Sequence, residues 1–106
     1  MSVARDEATP GREALGKIDA ALAKRPQKDD HLLTEIGKAL CAWRDALIAR
    51  HREAPLPPVE KERLERVNAV IATVFGVQFP SAGVPWHNLE SARGWLADLL
   101  GEVEAA

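Results

Sequence analysis

Residues 32–48 read LLTEIGKALCAWRDALI. Leu32, Ile36, Leu40, Trp43 and Leu47 recur at steps of four, four, three and four, with Leu33, Cys41 and Ile48 widening the line. That spacing lays one apolar stripe along an α-helix, and it is the strongest periodic signal in the chain. Outward from it, Asp29 or Asp30 supplies a side chain suited to cap the helix start. Arg50, His51 and Arg52 supply positive charge where the helix dipole favours it, at the end. The stretch therefore predicts a helix over residues 29–53, roughly 37 Å long at 1.5 Å per residue.

The rest of the chain is punctuated in the same style. Its 106 residues suit one domain, 1–106, and 46% hydrophobic with 28% charged residues is ordinary globular composition. Alanine and leucine dominate, tyrosine is absent, and β-branched residues never alternate over a useful stretch, which favours helix over strand. Breakers cluster at Pro10-Gly11, Pro26, residues 55–58 and residues 76–85. They leave three more helices. The first starts at Thr9-Pro10, with Thr9 as N-cap and an apolar line of Leu15, Ile18 and Leu22 padded by Ala14 and Ala21. Another runs from Pro58 to Gly76 on Leu64, Val67, Ile71 and Val74, with Val70 and Phe75 beside them and Glu62 and Arg66 spaced for a surface pair. The last follows Asn88 as N-cap, on Leu89, Ala92, Leu96, Leu99 and Val103. Short links favour antiparallel neighbours. The expected fold is all-α, an antiparallel up-down four-helix bundle with helices over 10–25, 29–53, 58–76 and 88–104, and residues 1–8 as a flexible tail. The second helix outruns the others by about two turns. Either its ends fray or bend at Gly37, or the overhang meets a second chain.

Composition narrows the chemistry. The net charge is −2, so bulk electrostatic attraction to nucleic acid is not expected. Arg50, Arg52, Lys61, Arg63 and Arg66 gather near one corner, but Glu53, Glu60, Glu62 and Glu65 share it. One cysteine rules out an internal disulfide and a cysteine zinc cluster. Cys41 reads as a small hydrophobe beside the stripe rather than a nucleophile. The three serines stand in no nucleophile elbow, and no phosphate-cradling glycine loop or dinucleotide fingerprint is present. No catalytic set and no cofactor are therefore expected. No apolar run approaches the roughly 18 residues of a membrane span, and residues 1–10 do not resemble a signal peptide. A cytoplasmic, bacterial-style protein is the default.

Two features go beyond a plain bundle. His31 and His87 fall at the same end in the antiparallel topology, near Asp29, Asp30, Glu35 and Glu90, and could hold zinc or a similar cation. Read plainly, one is an exposed helix residue and the other belongs to a loop. The second feature is the segment 76–88, GVQFPSAGVPWHN, which is longer and more apolar than a bundle turn requires. Phe79 and Trp86 either cap the bundle end or anchor a partner, and Trp95, off the main seam, is expected partly exposed. Together these give a non-catalytic interaction module, binding a protein partner or itself as a homodimer through Phe79, Trp86 and Trp95. The alternative is a ligand- or metal-binding bundle with its site at His31 and His87.

Overall fold

The computed structural model describes residues 3–25, 32–75 and 86–105. They form α1 (Val3–Glu7), α2 (Thr9–Lys24), α3 (Leu32–Glu53), α4 (Pro58–Phe75) and α5 (Trp86–Ala105), with no strand among the described residues. The all-α reading holds. Each long helix packs on two of the other long helices: α2 on α3 and α5, and α4 on α3 and α5. The start of α2 is tied to the end of α5 by Arg12–Glu104 at 2.9 Å, and the end of α2 to the start of α5 by Arg25–Glu90 at 2.5 Å. Between them Arg93 meets Asp19 at 2.6 Å.

The helix ends differ from expectation at three places. Residues 3–7, read from sequence as a flexible tail, form α1, which packs against α2, α3 and α5. Ala8 and not Thr9 holds the N-cap position of α2, and it makes no side-chain cap bond. The helical path continues through it instead. Ala8 N–H donates to the Ala4 carbonyl and Arg12 N–H to the Ala8 carbonyl, each at 3.0 Å. Pro10 has no N–H to extend the ladder back into α1, which accounts for the interruption. At the other end of the chain α5 begins at Trp86, so Asn88 lies inside its first turn and is not its cap. Pro58 opens α4 as expected, with Lys61 N–H donating to the Pro57 carbonyl at 2.9 Å.

The core is one cluster built on the stripe quoted above. Leu33, Ile36, Leu40, Trp43 and Leu47 of α3 are buried, as are Leu89, Ala92, Leu96, Leu99 and Val103 of α5. On α2 and α4 the buried line keeps Ile18, Val67 and Val74 of the expected stripes and shifts to the flanking positions elsewhere. In α2 it runs through Gly11, Ala14, Ile18 and Ala21, and Leu15 and Leu22 are only half-buried. The cause is Trp43, whose ring lies against Gly11: a Cβ there would stand 2.6 Å from Trp43 Cζ3. Small residues must face so large a ring. In α4 the line runs through Arg63, Val67, Val70 and Val74, with Leu64 and Ile71 half-buried.

The end of α3 is covered from within the chain. Glu7 of α1 accepts two hydrogen bonds from Arg50, at 2.6 and 2.8 Å, and Glu60 of α4 accepts two more, at 3.2 and 3.0 Å. His51 Nδ1 accepts from Leu56 N–H at 3.1 Å, which folds the proline-rich link back so that Leu56 is buried. Gly37 marks a close approach of helices, since the Phe75 ring fills the space a Cβ would take, 2.5 Å from Cε2.

Candidate functional site on the α4–α5 face

The steps that bury Leu89, Ala92, Leu96 and Leu99 leave Trp95 beside the seam on the α4 side. It is 53% exposed. A surface groove of about 260 Å³ lies there, lined by Arg66, Ala69, Val70, Trp95 and Asp98. Ala69 and Val70 present short side chains beside the indole, and Val70 belongs to the core. Gly94 and Gly101, also on α5, have open space where a side chain would stand.

A second cavity, of about 150 Å³, adjoins the first along the same pair of helices. Val59, Glu62, Arg63, Arg66, Leu99 and Glu102 line it. Arg66 belongs to both walls, and its guanidinium pairs with Glu102 across the α4–α5 seam. The surface pair expected between Glu62 and Arg66 is therefore replaced by one that joins two helices. Val59 is 70% exposed at the rim.

Arg63 is the residue that sequence reasoning missed. It is 8% exposed, and its nearest anion is Glu60, 3.9 Å from Nη1 and beyond hydrogen-bond reach. Glu60 is already engaged by Arg50. Glu7, Arg50, Glu60 and Arg63 thus form a row of alternating charge from α1 through α3 to α4. Hydrogen bonds to Glu7, and secondarily to Glu60, hold the Arg50 guanidinium above its ordinary pKa. Arg63, at the end of the row, makes no hydrogen bond among the described residues. A signal for its burial did exist, because positions 63, 67, 70 and 74 step by four, three and four, as the apolar line does.

The other expected site residues are only in part within the described residues. Trp86 is half-buried, packed against the core, with the Arg25 guanidinium 5.8 Å from its ring centroid. That places it at the α2–α5 junction as a cation–π partner. Trp86 and Trp95 are nine residues apart on one helix, about 13 Å along the axis and half a turn round it. Phe79 lies outside the described residues. His87 is exposed in the first turn of α5, and His31 lies outside the described residues. Among the described residues no group of three or more His, Cys, Asp or Glu side chains is placed to hold a metal ion. Cys41 is a free, half-buried thiol. No described helix is long and apolar enough to cross a membrane.

Compared with known proteins, the chain matches no protein-family model, no curated protein and no solved structure.

Proposed function

We propose that this chain is a non-catalytic protein–protein interaction module, built as an antiparallel up-down four-helix bundle, and that it meets its partner through the α4–α5 face. The cyclic order of helix neighbours and the end-to-end ion pairs of α2 with α5 support the bundle. One observation carries the interaction reading: Trp95 stands half out of the surface at the edge of a groove that the core residue Val70 helps to line. An indole left in water forgoes the burial that dominates interface energetics, and tryptophan in a groove is a common interface anchor. The occupant is a protein segment, supplied by another protein or by a second copy in a two-fold dimer. Trp86 has a smaller part in this reading, because Arg25 and the core already cover much of it.

The test is site-specific photo-crosslinking in the native cell. A photoreactive phenylalanine replaces Asp98, which lines the groove beside an intact Trp95, in one variant and Asp45, on the outer side of α3, in another. The proposal expects a discrete protein adduct from position 98 and none from position 45. Equal labelling from both positions, or none from 98, would refute it.

A further inference from the structure

The charge on the α4–α5 face separates the two occupants that Trp95 alone allows, another protein and a second copy. Five charged residues line the two adjoining grooves: Glu62, Arg63, Arg66, Asp98 and Glu102. Both arginines are already matched. Arg66 pairs with Glu102 across the seam. Arg63 pairs with Glu60 in the row that runs through Arg50 to Glu7, two acids with two bases. Glu62 and Asp98 are exposed and make no ion pair among the described residues. Gly94 and Gly101 stand about one turn before and after Asp98 on α5, and neither has a side chain to screen it. The face therefore presents two uncompensated carboxylates, one on each helix, beside an apolar channel of Val59, Ala69, Val70, Trp95 and Leu99.

Two copies of this face complement each other poorly. A two-fold contact sets the patch against its own image, so the free carboxylates of each copy meet a surface of the same net sign. A second copy that offers a different surface makes a head-to-tail contact, which does not close as a dimer. We infer that the occupant belongs to a different protein and is a basic amphipathic helix. The inference rests on the Trp95 reading and adds the chemistry of the partner. A helix suits the site because a seam between two packed helices accepts a third by its apolar face. Aliphatic residues of the incoming helix lie along Val59, Ala69, Val70 and Leu99. Lysine or arginine on one flank meets Glu62 of α4, and on the other meets Asp98 of α5. A cation beside Asp98 is also placed to stack on the exposed indole of Trp95. Nucleic acid and anionic lipid surfaces carry the wrong sign for this face.

The test uses three synthetic peptides of about four helical turns. They share one leucine stripe at helical spacing and carry lysine, glutamine or glutamate at the other positions. Each is titrated into the full chain and followed by amide NMR. The lysine peptide should give saturable shifts centred on residues 59–69 and 95–102. The glutamine peptide should bind several-fold more weakly, and the glutamate peptide about tenfold more weakly or less. Glu62→Lys/Asp98→Lys, at two exposed positions, should reverse the order of the lysine and glutamate peptides. Glu13→Lys/Glu53→Lys makes the same change of net charge at exposed positions on α2 and α3, and should leave the order as it was. Trp95→Ala should weaken the lysine and glutamine peptides alike. No saturable shifts with the lysine peptide would overturn the inference, as would equal effects of the two double variants. Equal binding of the lysine and glutamine peptides at this face would overturn it and leave the Trp95 reading standing. The photo-crosslinking reads Trp95 separately, because replacing Asp98 keeps both Trp95 and Glu62. An adduct there to a second copy of the chain would overturn this inference alone.

Discussion

Replacing glycine by alanine should have opposite effects at two positions of the same helix. Gly11 and Gly16 both lie in α2. At Gly16 no atom stands within 4 Å of an added Cβ, so alanine brings only its better helix propensity, about 0.5–1 kcal/mol. At Gly11 the new Cβ would stand 2.6 Å from Trp43 Cζ3 and 3.3 Å from Leu100 Cδ2. Ordinary carbon contacts are about 3.5–4.0 Å, and Trp43 is fully buried, so its ring has little room to retreat. Overpacking of this kind costs about 1–3 kcal/mol. The propensity gain offsets part of it, leaving Gly11→Ala less stable by about 1–2 kcal/mol. In thermal melts this is a fall of about 5–10 °C, against a rise of about 3–6 °C for Gly16→Ala. A Gly11→Ala/Trp43→Leu double variant should lose less than the two single changes summed, because the clash is shared. Stabilisation by Gly11→Ala, or strict additivity with Trp43→Leu, would refute the packing of Trp43 on Gly11 and with it the shift of the buried line on α2.

Other consequences follow from the same packing. Glu7→Ala leaves the half-buried Arg50 with Glu60 alone and should cost about 1–2 kcal/mol by chemical denaturation; a change below a few tenths would mean that α1 does not dock. Among the three tryptophans, Trp95 is the exposed one and Trp43 has no exposure, so Trp95→Phe should remove most of the acrylamide-quenchable fluorescence. Quenching unchanged by that substitution would contradict the exposure of Trp95. Trp86→Ala should keep the helical circular dichroism and lower stability by about 1–2 kcal/mol, as truncation of a partly buried ring. Complete unfolding would mark Trp86 as a central core residue instead.

How much was legible in the sequence depended on what each helix faces. The stripes of α3 and α5 were readable because their inward residues are large and apolar, so period and burial coincide. On α2 the inward line is Gly11, Ala14, Ile18 and Ala21. Hydrophobicity put Leu15 and Leu22 at the centre of the stripe and Ala14 and Ala21 at its margin, and nothing local announces that Trp43 needs flat space opposite it. On α4 the period was right, but the inward line opens on a charged residue. Arg63 is tolerated there because the row through Glu60, Arg50 and Glu7 crosses three helices, a relation that no spacing within one helix can express. Helix α1 was missed because five residues hold no stripe, and it is held by Glu7 and by the packing of Ala4 and Ala8. Of the candidate site, the exposure of Trp95 was visible in its offset from the α5 seam. The grooves beside it were not, since they depend on which face of α4 turns inward.

The central claim is that the α4–α5 face meets a partner through Trp95. Its most direct test is native mass spectrometry of the untagged chain taken from its own cells, wild type beside Trp95→Ala. The account predicts a wild-type species heavier than one chain, by a second copy or another protein. It predicts a bare monomer for the variant, with a melting temperature within about 2 °C of wild type, as expected for an exposed side chain outside the core. A wild-type chain that is itself a bare monomer, or a complex that survives Trp95→Ala intact, would contradict it.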